Sequence, residues 1–252
     1  RYFDSFGVEP AYPFGFGLSY ADFTVHSAGI QAEGTQITVK ASVTNSGDTY
    51  SGKEVVQLYV SAPAGTLHKE FQTLAAFAKT KELLPAQRQE LTLTFDLRSL
   101  ASYREYDACY VLEAGEYILR LGNSSRNTMV IGVLLLETDV IVSRHQNVCQ
   151  TDEPIAELVS ERQQDTSVAE GVPYIVIPGE TLGTVEYSYE QPAECMEEKV
   201  SRFLDTLSLK EMVDIVVGIG MFGGDTRFTL PGSVGNTTSK FWDRGLANVA
   251  LC

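Results

Sequence analysis

Apolar and polar residues alternate in short runs through the first half of the chain. In residues 36–44 the apolar side chains fall at every second position, which puts them on one face of a β-strand. These side chains are Ile37, Val39, Ala41 and Val43. Turn residues at 45–48 end the run. Similar patterns predict further strands at 54–60, 91–97, 116–122 and 128–136.

The segment 74–79 is ambiguous on its period alone. Because predicted strands lie on both sides of it, we expect it to be a strand as well. The region 21–138 then holds about seven short strands joined by Gly, Pro and Asn turns, a pattern typical of an immunoglobulin-like or fibronectin-like β-sandwich. The predicted fold class is therefore mainly β.

Residues 139–192 are less regular and more acidic, which predicts a linker or clamp segment laid over another surface. Within it, the apolar stretch 172–178 is flanked by Pro173 and Pro178. Since proline blocks a helix at both ends of this stretch, the pattern predicts an extended segment that acts as an edge strand or clamp.

The pattern becomes helical near residue 193. Apolar residues recur at helical spacing in 194–207, and a second apolar stripe begins at Leu209. Ser208 and Glu211 fit a capping box, in which each side chain bonds the backbone N–H of the other. The following glycines, between residues 218 and 235, predict a loop held close to other backbone or to a ligand.

Composition narrows the classes of function. The 252 residues contain 19 Lys and Arg and 33 Asp and Glu, and the formal charge of −14 disfavours a nucleic-acid partner. The longest apolar stretch, 129–136, is far shorter than the roughly 20 residues that a membrane span needs. The first residues include neither an initiator Met nor the apolar core of a signal peptide, so we expect a piece of a longer protein.

The cysteines and histidines show no spacing of a metal or redox site. The four cysteines lie 40 or more residues apart, at Cys109, Cys149, Cys195 and Cys252. We therefore expect no metal and no cofactor. Free thiols are typical of a reducing compartment, which favours the cytoplasm without fixing the localisation.

The sequence contains a possible nucleotide-binding motif and two possible N-glycosylation sites, and we assign a function to neither. Residues 218–223 match the G-x-G-x-x-G nucleotide fingerprint, with Asp243 at the distance of the ribose-binding acid. That fingerprint needs a strand before it and a helix after it, whereas here a helix is predicted before it, so we reject nucleotide binding. Asn123 and Asn236 begin N-glycosylation triplets, which we expect to be surface loops.

Residues 12–20, Tyr-Pro-Phe-Gly-Phe-Gly-Leu-Ser-Tyr, resemble the segment that leads into the fibronectin-like domain of glycoside hydrolase family 3 enzymes. Further stretches resemble that domain at matching distances, namely 43–48, 52–60, 74–80 and 113–117. The resemblance implies a fibronectin type III-like sandwich over residues 21–138.

The last part of the chain resembles another part of the same family. Residues 207–212 and 231–237 are similar to the opening of its catalytic (β/α)8-type barrel. Because the barrel follows the sandwich here, the order is similar to that of the permuted β-glucosidases of this family. The implied regions are the end of an α/β sandwich domain with its lead-in (1–20), the fibronectin-like sandwich (21–138), the linker or clamp (139–192) and an incomplete barrel start (193–252).

The resemblance also implies the chemistry of the parent enzyme. Members of the family hydrolyse terminal β-D-glucosyl residues with retention, using an Asp nucleophile from the barrel and an acid/base Glu from the α/β sandwich domain. Neither motif is in this chain, and its carboxylates show no spacing that assigns a catalytic pair. We therefore assign no catalytic, substrate-binding or metal residue, and expect an inactive chain whose partners are the other domains of the parent. The preference for β-glucosides over β-xylosides rests on family frequency alone.

Two roles remain open for the sandwich. It either holds the flanking domains in position or binds carbohydrate through surface aromatics, for which the candidates are Tyr50, Tyr103, Tyr106 and Tyr110. We favour the scaffold, because aromatics in sandwiches usually belong to the core or an interface. The competing class is a non-enzymatic adhesion module, since such sandwiches host many functions. About 60 residues cannot close a barrel, so the last helices should expose Val213, Val216 and Val217.

Overall fold

The computed structural model describes residues 2–147, 156, 171–186, 194–218 and 235–251. It divides the chain into two compact units, Arg1–Tyr187 and Ser188–Cys252. Among the helices in these described ranges, none has the length and apolar character that crossing a bilayer requires.

The first unit is mainly β. It opens with one short helix, α1 (Tyr2–Ser5). Its strands, within the described residues, are β1 (Phe23–Glu33), β2 (Gln36–Asn45), β3 (Val55–Ser61), β4 (Thr73–Lys79), β5 (Arg88–Asp96), β6 (Ser102–Arg104), β7 (Cys109–Leu112), β8 (Gly115–Gly122), β9 (Thr128–Leu136), β10 (Val140–Arg144), β11 (Tyr174–Ile177) and β12 (Val185–Glu186). Short 3-10 helices lie at Leu97–Leu100, Glu105–Asp107 and Gly179–Thr181.

The strands form three sheets. One has the order β1-β2-β5, a second β11-β9-β8-β3-β4 and a third β12-β10-β7-β6. Neighbouring strands are antiparallel except β11 with β9 and β12 with β10, which are parallel. In the first sheet Ile37 pairs with Phe95 and Val39 with Leu93, so the apolar faces of β2 and β5 coincide.

The predicted apolar faces form the core of the sandwich. The four alternating side chains of β2 are completely buried, and they share one hydrophobic cluster with Leu58 of β3 and Leu93 of β5. Burying a side chain of this size contributes about 2 kcal/mol of transfer free energy. The strands predicted at 36–44, 54–60, 91–97, 116–122 and 128–136 are confirmed, as is the ambiguous strand at 74–79.

Some strands of the first unit, among them β1 and β10, do not show a clear alternation of apolar and polar residues. β1 contains a register shift between Ser27 and Gly29, which interrupts any alternation. The segment 139–192, predicted as linker or clamp, contributes three strands to the sheets. β10 joins the third sheet, and β11 lies at the edge of the second sheet beside β9. The extended edge strand predicted at 172–178 is thus confirmed.

The described part of the second unit contains two α-helices, α2 (Glu194–Leu204) and α3 (Leu209–Val217). A 3-10 helix at Ser239–Arg244 and the strand pair β13 (Gly235–Asn236) and β14 (Ala250–Leu251) complete its described part. The predicted capping box is present, because the Ser208 N–H donates to Glu211 Oε2 (2.8 Å) and the Glu211 N–H donates to Ser208 Oγ (3.3 Å).

Helix α3 bears on two further predictions. It ends directly before Gly218, so the G-x-G-x-x-G motif follows a helix, whereas a nucleotide-binding fingerprint would follow a strand. Most of the glycine loop lies outside the described residues. The three valines expected to be exposed on this helix are so, with exposed fractions of 49% for Val213, 84% for Val216 and 74% for Val217.

Candidate functional site

The segment 2–20, here called the lead-in, lies along the outer face of the second sheet. Phe3 and Tyr12 line a cleft together with Tyr59 of β3. Further along, Phe16 lines another cleft with Gln57, whose side chain points from the same face of β3 as Tyr59. The lead-in therefore covers the side of β3 that faces away from the core.

The lead-in is attached to the turn between β8 and β9, residues 123–127. The Ser125 N–H donates to the Phe14 carbonyl oxygen over 2.8 Å. Arg126 forms ion pairs with Asp4 and with Glu9, the latter over 3.5 Å. The lead-in is thus held at Asp4, Glu9 and Phe14, and we call this set of contacts the dock.

Gly15 lies at the tightest point of the dock. Its φ is +90°, a conformation that side-chain-bearing residues rarely adopt. A Cβ at this position would lie 2.3 Å from Gln57 Nε2 and 2.6 Å from the Asn123 carbonyl oxygen. Glycine is therefore required both by the backbone conformation and by the close approach of the turn.

The turn itself is fixed by side chains from β3, from the residue before it and from the segment that joins β3 to β4. Gln57 Nε2 donates to the Asn123 carbonyl oxygen (3.2 Å), and Gln72 Nε2 donates to the Ser125 carbonyl oxygen (2.7 Å). Asn123 Nδ2 donates to Glu54 Oε2 over 3.2 Å. These bonds pair polar groups of the turn with side chains distant in sequence. An alternating pattern of apolar residues does not predict such bonds.

Large side chains of the lead-in remain in solvent. The exposed fractions are 74% for Tyr12, 66% for Phe14, 89% for Leu18 and 87% for Tyr20. A contiguous segment with this much exposed aromatic and aliphatic surface is typical of an interaction site. The dock thus fixes the backbone of the lead-in and presents its large side chains outward.

A buried ion pair lies below the loop that joins β3 to β4, residues 62–72. Glu113 and Lys69 pair with side chains that are each 5% exposed. Burial acts to raise the pKa of the Glu113 carboxyl, but hydrogen bonds from Lys69 and Thr66 outweigh it and lower this pKa to about 2. Glu113 is therefore ionised at neutral pH and serves as an anchor for the loop.

The four candidate tyrosines fall into two places. Tyr103 and Tyr110 are neighbours on β6 and β7, with ring centroids 5.2 Å apart and planes inclined by 58°. Tyr106 lies in the same region, under the Arg104 guanidinium at 5.0 Å. Tyr50 instead contacts Tyr20 of the lead-in, with centroids 5.8 Å apart. The structure thus groups three of the four, and the rings of Tyr103 and Tyr110 are inclined rather than coplanar.

The two glycosylation triplets differ in their surroundings. Asn123 lies in the turn of the dock, where its side-chain nitrogen donates to Glu54. Asn236 lies in β13 and is only 2% exposed, with its Oδ1 accepting a bond from Asn248. The expectation of a surface loop is therefore wrong for Asn236, because its triplet pairs with the strand β14 instead of entering solvent.

Comparison with known proteins agrees with this architecture. The fibronectin type III-like domain family matches residues 54–125. A β-glucosidase of Ruminococcus albus is 32% identical over 69% of this chain, and an exo-α-(1→6)-L-arabinopyranosidase of Bifidobacterium breve is 33% identical over 55% of it. Both alignments cover 18% of the relative.

Solved structures give the same picture. The β-glucosidase of Paenibacillus barengoltzii matches 58% of this chain and 17% of its own, with 41% identity and a TM-score of 0.55. The chain thus spans about a fifth of the length of the relatives that it matches. It contains a fibronectin type III-like domain, and it is a homologue of the β-glucosidases of glycoside hydrolase family 3.

Proposed function

We propose that this chain is the non-catalytic middle portion of a retaining β-glucosidase of family 3, and that it serves as the scaffold between the enzyme's working domains. The observation that carries the proposal is the dock. It holds the lead-in at the Phe14 carbonyl oxygen and at the Asp4 side chain, while the large side chains of the lead-in stay exposed for an upstream domain.

The physical argument is one of precision. A retaining glycosidase needs its two carboxyl groups about 5 Å apart across the sugar. When these groups come from different domains, the element between the domains sets their distance, and a misplacement of about 1 Å costs about a hundredfold in rate. A lead-in held by hydrogen bonds and ion pairs supports such placement better than a flexible linker would.

The proposal extends to the second unit. We assign 193–252 to the start of a (β/α)8-type barrel, 139–192 to a clamp, 21–138 to the sandwich and 1–20 to the lead-in and the end of an α/β domain. The exposed valines of α3 support the barrel assignment, because the packing of further barrel elements would cover such a stripe.

Two experiments test the scaffold. In the full-length parent, Arg126→Ala removes the ion pairs of the dock, and we expect kcat on an aryl β-glucoside to fall about ten- to a hundredfold. The matched control is Arg88→Ala, which breaks an exposed ion pair with Glu90 on β5 and should leave kcat unchanged. Unchanged kcat in Arg126→Ala would count against the scaffold. The purified 252-residue chain should hydrolyse no aryl β-glucoside, and turnover by it would refute the proposal.

A second candidate is carbohydrate binding by the sandwich without catalysis. It is favoured by the grouping of Tyr103 on β6 and Tyr110 on β7 with Tyr106 in the 3-10 helix between these strands. The inclined rings of Tyr103 and Tyr110 form no flat platform, so we rank this candidate below the scaffold. Titration of the chain with cellobiose decides between them, since saturable binding lost in Tyr110→Ala would reverse the ranking.

A further inference from the structure

The loop between β3 and β4 is long for a hairpin connection. It spans residues 62–72, whereas hairpin loops usually contain about two to five residues. A loop of this length would ordinarily sample many conformations, and ordering it has an entropic cost. The structure shows what holds it in one conformation.

The loop is wrapped around the carboxylate of Glu113. Thr66 donates to Glu113 Oε1 from its backbone N–H (2.7 Å) and from its hydroxyl (2.6 Å), and the Leu67 N–H donates to Oε2 (3.3 Å). Lys69 pairs with the same carboxylate and also donates to the Pro63 carbonyl oxygen over 3.1 Å. One buried side chain thus satisfies donors from three loop residues.

The close approach leaves no space for a larger residue. A Cβ at Gly65 would lie 2.3 Å from Glu113 Oε2. A buried ion pair carries a desolvation penalty that an apolar pair avoids, although removing one partner of an existing pair is destabilising. The bonds of Glu113 to Thr66, Leu67 and Lys69 define the conformation of the loop.

The far end of the loop is bonded to the dock. Gln72, its last residue, donates to the Ser125 carbonyl oxygen over 2.7 Å, and the Ser125 N–H donates to Phe14 of the lead-in. Beside it, the Arg120 guanidinium lies over the Phe71 ring at 5.3 Å and donates to Ser61 Oγ. Glu113 thus holds the loop at residues 66–69, and Gln72, three residues further along the chain, joins the loop to the dock.

We infer that Glu113 is a positioning residue for the lead-in: with Lys69 it fixes the β3–β4 loop, and through Gln72 it holds the turn that anchors Phe14. The consequence for catalysis rests on the proposed scaffold function. The coupling itself does not, since it is a property of this chain and is measurable without activity.

Hydrogen exchange of the 252-residue chain tests the coupling. In Glu113→Gln we expect the amides of Thr66 and Leu67, and also those of Phe16 and Ser125, to exchange about tenfold faster or more. The matched control is Asp96→Asn, which breaks a partly buried carboxylate–Arg98 pair at the end of β5. In that control the amides of the dock should exchange as in the wild type.

A second variant keeps the test decisive if Glu113→Gln does not fold. Gln72→Met removes the bond to Ser125 and leaves the ion pair intact. It should speed exchange at Ser125 and Phe16 but not at Thr66. Faster exchange in the loop of Glu113→Gln with an unchanged dock, or an unchanged dock in Gln72→Met, would overturn the inference.

The parent enzyme separates this inference from the scaffold proposal. If both hold, Glu113→Gln lowers kcat while KM stays near the wild-type value, because the sugar-binding groups are elsewhere. If exchange in the dock rises but kcat does not change, the scaffold proposal fails and the coupling stands. If exchange does not rise, the coupling fails, whatever Arg126→Ala does to kcat.

Discussion

Gly15 is a position where no residue other than glycine fits. Two independent requirements meet there, a φ of +90° and a Cβ position already taken by Gln57 and the turn. Gly17, two residues away, differs in both respects, because its φ is outside the left-handed region and nothing lies within 4 Å of its Cβ position. The two glycines therefore form a matched pair for testing the dock.

We predict that Gly15→Ala loosens the lead-in and Gly17→Ala does not. The clash and the backbone strain together should destabilise the docked state by about 1–3 kcal/mol. Hydrogen exchange at Phe16 and Ser125 measures the effect. Equal exchange in the two variants would mean that the lead-in is not held at Gly15.

Glu113 gives a prediction of pH dependence. Its pKa is about 2 in the folded chain, against an ordinary value of 4.5, so the folded state binds this proton less readily than the unfolded state. The stabilisation is complete above about pH 4.5 and is lost as the pH falls towards 2. At pH 3 the loss from this group is about 2 kcal/mol.

Urea unfolding at pH 6 and pH 3 measures this loss. Other carboxylates also titrate over the range, so the comparison is between the wild type and Glu113→Gln. The variant should be less stable at pH 6 and should lose about 2 kcal/mol less between the two values. A loss equal to that of the wild type would show that the carboxyl does not titrate below its ordinary range.

Among the elements, β3 shows how an alternating pattern is incomplete. Val56, Leu58 and Val60 predict one buried face, and the structure buries that face. Gln57 and Tyr59 on the opposite face are buried as well, because the lead-in covers them. In the sequence, this opposite face is marked only by the amide of Gln57 and the phenol of Tyr59. Such side chains occur both in solvent and in buried polar contacts.

Helix α3 gives a prediction for its capping box. Ser208→Ala removes the acceptor of the Glu211 N–H and should destabilise the first turn by about 1 kcal/mol. Exchange of the Glu211 amide should therefore be faster. Ser201→Ala, an exposed position inside α2, is the control and should not speed exchange at Glu211. A similar effect of both variants would mean that the cap does not stabilise the helix.

For the molecule as a whole, the exposed stripe of α3 predicts poor solution behaviour of the isolated chain. We expect the double variant Val216→Glu with Val217→Glu to aggregate less than the wild type, since it removes exposed apolar surface. Lys199→Glu changes the net charge by the same amount on an exposed position of α2 and controls for charge. Light scattering at matched concentration measures the difference.

The outcome separates two causes. Less aggregation in the double variant alone supports an apolar stripe that other elements cover in the parent. An equal improvement in Lys199→Glu would assign the effect to charge. Limited proteolysis adds a further check, because residues 194–252 should be cut readily in the isolated chain and protected in the parent.

The sequence by itself determined the strands that alternate, the capping box and the charge that disfavours nucleic acid. It could do so because alternation, turn residues and caps are local and repeat within a few positions. The weakly patterned strand β10 was missed, because it becomes a strand by pairing with β7, which is distant in sequence.

Only the tertiary structure decided the dock. The dock combines residues from four separated parts of the chain, Gly15, Gln57, Gln72 and Ser125. The sequence around each of them does not indicate that it contacts the others. The sequence does not predict the ion pair of Lys69 with Glu113 either, because each residue alone is compatible with a solvent-exposed surface. Hydrogen bonds and ion pairs between distant residues depend on which faces are brought together, and that is settled by the packing of the whole sandwich.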